Sequence, residues 1–152
     1  MKTLLVLDDQ LALLKLLAAL LGKQYDVIEA TTAEQALRLF TEHGRHVDLL
    51  VADVTLPISS GIQVALLLRS EVPDLPVILT SGYPVDSWCT RDSADLKRLG
   101  PLSVTIMQKP FQADELSNSV SELIGSVASE AANCPSDERR QPGRVLRFPK
   151  TA

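Results

Sequence analysis

The residue types able to do chemistry stand where short apolar runs stop. Asp8 and Asp9 follow Thr3–Leu7, Asp53 follows Leu49–Ala52, Thr80 and Ser81 follow Val77–Leu79, and Lys109 follows Ser103–Gln108. Three carboxylates drawn together repel, and each raises the pKa of the others unless a cation neutralises them. A hard divalent ion answers that need, because Mg²⁺ takes one or two carboxylates, waters and a phosphate oxygen. Lysine adds a compact positive charge and threonine a hydroxyl donor, a pair suited to holding the oxygens of a phosphoryl group placed on Asp53. A carboxylate nucleophile that forms an acyl phosphate is an established covalent strategy, in which positioning and charge neutralisation do most of the catalysis. Taken singly, each residue has an ordinary explanation: an N-cap aspartate, a turn threonine, a solvated lysine. Their joint arrival at successive strand ends is what marks a site.

The elements that must position these residues follow one another as five βα units. Leu49–Ala52 is apolar at consecutive positions, as a central strand of a parallel sheet covered on both faces requires. The other strands are expected at Thr3–Leu7, Tyr25–Ala30, Val77–Leu79 and Ser103–Gln108. Helices are expected over Leu11–Leu21 with Gly22 as a stop, from Thr31 or Thr32 through Phe40, from Gly61 to about Val72, and from Asp114 to about Ala128. Thr32 with Gln35 is a capping-box pattern. The segment Tyr83–Pro101 is polar and weakly periodic, most helical over Asp92–Leu99. Succession of this kind implies a doubly wound α/β fold, a five-stranded parallel sheet in the order 2-1-3-4-5 with right-handed crossovers. Ligands of such sheets bind outside the carboxyl ends of the strands at the point where the order reverses, here between the first and third strands.

Composition narrows the function further. The chain of 152 residues carries a net charge of −4. Residues 1–129 hold 10 basic and 16 acidic side chains, whereas 130–152 hold 5 basic and 3 acidic. An acidic domain is disfavoured for nucleic acid, where phosphate contacts dominate affinity. The apolar run Leu11–Leu21 contains Lys15 and is too short to span a bilayer, and no signal-peptide pattern follows Met1, so a cytoplasmic location without membrane contact is expected. Cys89 and Cys134 fit neither a zinc spacing nor a redox pair and are expected as free thiols. His43 and His46 have no further His or Cys ligand to support a metal role. The first helix is apolar nearly all round, which predicts leucines exposed for contact with a partner. Residues 1–129 form the expected domain and 130–152, rich in Pro, Arg and Ser, an expected flexible tail.

Residues 1 to about 126 resemble a receiver domain of the two-component response regulators. The matching pieces are Asp8-Asp9, the strand-end Asp53 with Pro57 and Gly61 after it, the Thr80-Ser81 step, and Lys109-Pro110-Phe111. The resemblance implies that Asp53 is the phosphoacceptor, served by a histidine kinase or histidine phosphotransfer protein. It implies that Asp9, Asp53 and the Thr55 backbone carbonyl ligate Mg²⁺, with Asp8 acting mainly through a water. It further implies that Lys109, Thr80 and Ser81 are phosphate-binding or switch residues and that Pro110 follows a cis bond. Thr55 and Gly82 flank the route of attacking water in that family and are expected to set acyl-phosphate lifetime. Ile106 departs from the pattern, since the family often has Tyr or Phe at this switch position. The stretch after Thr80-Ser81-Gly82-Tyr83-Pro84 looks more like receivers of hybrid sensor kinases.

The expected function is therefore a stand-alone response regulator that signals by phosphorylation-dependent protein contact, a phosphoacceptor rather than a conventional enzyme. An aspartyl-nucleophile phosphatase of the haloacid dehalogenase type wants a second Asp two residues after the nucleophile, where this sequence has Thr55. A receiver-like interaction module without phosphate turnover is the other alternative.

Overall fold

A computed structural model describes residues 1–124. The apolar runs form strands β1 (Thr3–Leu7), β2 (Asp26–Ala30), β3 (Leu49–Asp53), β4 (Val77–Ser81) and β5 (Val104–Gln108). Helices α1 (Leu11–Leu21), α2 (Ala33–Glu42), α3 (Gly61–Glu71), α4 (Thr90–Leu99) and α5 (Ala113–Ile124) alternate with them. All pairings are parallel and the order is β2-β1-β3-β4-β5, the doubly wound arrangement expected. The anticipated end of α5 at Val127 and Ala128, the tail 130–152 and Cys134 lie outside the described residues.

The period of two along a strand divides the core. Leu5, Leu7, Leu50, Ala52, Val77, Leu79 and Val104 face one way, against Phe40, Ile62, Leu68 and Leu99 of α2, α3 and α4. Leu4, Val6, Leu49, Val51, Ile78 and Met107 face the other, against Leu14, Leu17, Leu116 and Val120 of α1 and α5. Carrying that alternation to the strand ends puts Asp8, Asp53, Thr80 and Lys109 all on the α1/α5 side. Ser81 and Ile106 fall on the opposite side, where Ile106 packs against the α2–α4 core.

Element boundaries differ from expectation in ways with local causes. Tyr25 precedes β2 and is buried in the α1/α5 cluster. Thr32 Oγ1 accepts the Gln35 N–H, but Gln35 Oε1 accepts from the N–H and hydroxyl of Thr31, one residue earlier than a capping box predicts. The polar stretch after β4 folds as a 3-10 turn at Val85–Ser87, then α4, which begins at Thr90 because the Cys89 sulfur accepts the Asp92 N–H. Cys89 is a free, exposed thiol, as expected. On α1, Leu14, Leu17 and Leu21 are buried, while Leu11 and Leu16 are 56% and 62% exposed. No helix among the described residues is long and apolar enough to cross a membrane.

Arg69, near the end of α3, braces the far side of the molecule. Its guanidinium donates to the carbonyls of Leu75 (2.9 Å), Leu99 (3.1 Å) and Leu102 (2.8 Å), joining α3 to the ends of α4 and the loop before β5. Burial lowers its pKa, with the nearby Asp74 opposing that shift.

Candidate functional site

The carboxyl ends of β1 and β3 are neighbours in the sheet, and each strand delivers a carboxylate at its last turn of pleat. Asp8 is buried, its N–H donates to the Ala30 carbonyl, and its Oδ1 accepts the Gln10 N–H at 2.8 Å. Asp53 is 5% exposed, and its Oδ1 accepts the Thr55 N–H at 3.0 Å, which fixes the rotation of the carboxylate. Asp9 is exposed at the rim. Ligand oxygens of Asp8, Asp9 and Asp53 all come within 4.8 Å of one another.

Lys109 reaches this pair from β5. Its ammonium donates to Asp53 Oδ2 at 3.0 Å and to Asp8 Oδ2 at 3.1 Å. The loop carrying it is tied by the Lys109 N–H to the Ser81 carbonyl at 2.7 Å and includes the cis Lys109-Pro110 bond expected. Thr80 is the register partner of Asp53, and its carbonyl accepts the Val54 N–H. Thr80 is buried, yet its hydroxyl makes no hydrogen bond among the described residues, so a donor stands free beside Asp53.

Ser81 is not brought to the cluster. Its hydroxyl donates to the Tyr83 carbonyl and accepts the Tyr83 N–H, closing the turn after β4. The strand's own alternation turns its side chain to the face opposite Asp53 and Thr80. Its neighbour Gly82 is exposed and open, with nothing near the position a Cβ would take.

The loop between β3 and α3 is held against Asp53 from below. Ser60 Oγ accepts the Ile62 N–H and Gln63 Oε1 accepts the Ser60 N–H, a capping box that starts α3. Gly61 then passes so close that a Cβ there would lie 2.3 Å from the Asp53 carbonyl oxygen and 2.9 Å from the Ala52 Cβ. Ser60 carried a sequence signal in its spacing to Gln63. The Thr55 N–H contact is local, the Asx geometry that an aspartate makes with the backbone two residues on, whereas the reach of Lys109 to Asp8 carried no signal because it depends on the assembled sheet.

Burial raises the Asp53 pKa above the ordinary aspartate value and Asp8 adds to it, against the lowering by Lys109 and the Thr55 N–H. Burial disfavours the Lys109 charge, but hydrogen bonds and charge from Asp53 and Asp8 outweigh it, so that ammonium is held above its usual range. One ammonium against three carboxylates leaves the cluster net negative. An all-oxygen donor set with residual negative charge suits a hard divalent cation rather than zinc.

A doubly wound parallel sheet with a cation-competent acidic cleft at its switch point defines the class: a flavodoxin-like α/β protein that works at the carboxyl ends of its strands. Within that class the chain is a receiver domain of two-component signalling. The family described as "Response regulator receiver domain" matches residues 4–121, and the protein belongs to it. The chain is 32% identical over 121 residues to the sensor kinase CckA of Brucella abortus, covering 80% of this chain and 12% of that protein. It is 34% identical over 111 residues to the response regulator GtcR of Aneurinibacillus migulanus, covering 72% of this chain and 42% of that one. The chain thus spans less than half the length of either relative. Among solved structures, the response regulator TrrA of Thermotoga maritima, in complex with Mg²⁺-BeF, superposes with a TM-score of 0.66 at 29% identity, covering 82% of this chain and all of that one. The receiver domain of the hybrid histidine kinase CckA gives 0.64 at 28% identity, covering 80% and 98%.

Proposed function

We propose that this receiver accepts a phosphoryl group on Asp53 from a phosphohistidine of a histidine kinase or phosphotransfer protein, and signals by phosphorylation-dependent protein contact. The convergence of Asp8, Asp9 and Lys109 on the Asp53 carboxylate is the observation that carries this reading. In the transfer the histidine N–P bond breaks, a bond forms from an Asp53 carboxylate oxygen to phosphorus, and the departing imidazole takes a proton from solvent. The Thr55 N–H holds the nucleophile in one orientation. Lys109 neutralises the nucleophile before transfer and the phosphoryl oxygens after it, and the free Thr80 hydroxyl is placed to donate to those oxygens.

Asp9 and Asp53, with the Thr55 carbonyl, are the proposed Mg²⁺ ligands, and Asp8 acts through a water. Bound there, the ion supplies charge neutralisation for the phosphoryl group. The chain serves as phosphoacceptor with slow self-dephosphorylation rather than as a turnover enzyme, since Thr55 stands where an aspartyl phosphatase wants its second acid. Incubation with a phosphorylated histidine phosphotransfer protein tests the reading: label moves to the parent chain and not to Asp53→Asn. Label that reaches the Asn variant equally would overturn it.

A further inference from the structure

β5 closes one side of the sheet, pairing with β4 and with no other strand among the described residues. The Lys109 N–H and the Ser103 carbonyl both bond to β4, so odd-numbered residues direct their backbone groups inward. Ile106 and Gln108 therefore direct N–H and C=O outward, where no described residue pairs with them. A groove of about 490 Å³ runs along this edge, lined by the consecutive residues Thr105–Gln108 on one side and by Glu115, Asn118, Ser119 and Glu122 of α5 on the other. Consecutive strand residues point to alternate faces, so what they share with the groove is the backbone edge itself. The lining is apolar at Ile106, Met107 and Phe111, acidic at Glu115 and Glu122, and includes no lysine or arginine.

We propose that the groove receives the chain's own segment Arg144–Phe148, added as an extra strand along the free edge of β5. This segment, Arg-Val-Leu-Arg-Phe, interleaves two cations with three large apolar residues, the complement of that lining, and Pro149 ends it where a strand must stop pairing. Main-chain hydrogen bonds supply affinity in such strand addition and side-chain pockets supply choice. Reach is sufficient. The last described turn of α5 belongs to the same helix that walls the groove, and a linker of about 20 residues spans about 25 Å as a coil, against about 18 Å for the length of that helix. The docked segment covers β5 and α5, so a protein partner for that face must displace it. The inference does not depend on phosphorylation of Asp53.

Residue-resolved hydrogen exchange on the full chain tests the proposal, comparing the parent with Leu146→Asp/Phe148→Asp and with Arg144→Glu/Arg147→Glu. The amides of Ile106 and Gln108, together with those of 144–148, are expected to exchange at least about tenfold more slowly in the parent than in either variant, while the β1 and β3 amides remain unchanged. Equal exchange of Ile106 and Gln108 in all three proteins overturns the proposal. Protection that rises with protein concentration overturns it too, by showing that a second copy supplies the strand.

Discussion

The Lys109 ammonium lies 3.0 Å from Asp53 Oδ2 and 3.1 Å from Asp8 Oδ2, so one cation bridges the ends of two adjacent strands from a third. Removing it leaves two buried carboxylates facing each other. Lys109→Ala is expected to lower stability by about 1–3 kcal/mol in metal-free solution, as loss of charge-assisted hydrogen bonds does. Added Mg²⁺ is expected to restore more stability to this variant than to the parent, read as the Tm difference with and without the ion.

Asp53 has the opposite sign. Its folded-state pKa is raised, so its stabilising contribution is complete only below the unfolded aspartate value and is lost as pH rises through the folded value. At neutral pH the ionised carboxylate opposes folding. Metal-free Asp53→Asn is expected to melt above the parent at pH 7, with the gap closing as the pH falls toward 4. A parent that melts higher at pH 7 contradicts the assignment.

The same shift governs reactivity, because only the ionised carboxylate attacks. The acid limb of self-phosphorylation by a small phosphodonor is expected above the ordinary aspartate range at low Mg²⁺, with Asp8, Asp9 and Lys109 as the facing charges. It is expected to move to lower pH as Mg²⁺ is added, since a bound cation favours ionisation. A limb that ignores the metal would show that the ion does not sit beside Asp53.

Gly61 has no room for a methyl group against the Asp53 carbonyl. Gly61→Ala is expected to cost about 1–3 kcal/mol by overpacking, and to slow phosphorylation by moving the carboxylate. Denaturant unfolding and the phosphorylation rate check the two effects separately.

Arg69 donates to four backbone carbonyls away from the site, those of Leu75, Leu99, Leu102 and Ser103. Arg69→Ala is expected to destabilise by about 2–4 kcal/mol, and Arg69→Lys to recover only part of that, because an ammonium cannot fork to several carbonyls. Phosphorylation by a small donor is expected to stay near the parent rate below the shifted melting temperature.

Leu11 and Leu16 are the exposed leucines of α1, and Leu11 stands two residues beyond Asp9. Leu11→Glu/Leu16→Glu is expected to slow transfer from a phosphohistidine partner about tenfold or more while leaving small-donor phosphorylation and Tm nearly unchanged. Equal transfer rates would remove α1 from the docking surface.

Much of this was legible in the chain because buried parallel strands write themselves as consecutive apolar residues. Those runs placed Asp8, Asp53, Thr80 and Lys109 at strand ends, and the doubly wound order brought the ends together. The side to which Ser81 turns also has a signal in the chain: Ile78 and Thr80 share one face and Leu79 and Ser81 the other. Other features had no local signature. A cysteine is not a usual helix cap, so the start of α4 at Cys89 was hidden. The Arg69 carbonyl contacts span α3, α4 and the loop before β5, and only the assembled fold defines them.

Intact-mass measurement after exposure to a small-molecule phosphodonor, with and without Mg²⁺, tests the phosphoacceptor assignment most directly. One phosphoryl group is expected on the parent chain with the ion, little without it, and none on Asp53→Asn. Addition that persists in the Asn variant, or that proceeds equally without Mg²⁺, would contradict the assignment of Asp53 as the nucleophile of a metal-dependent receiver.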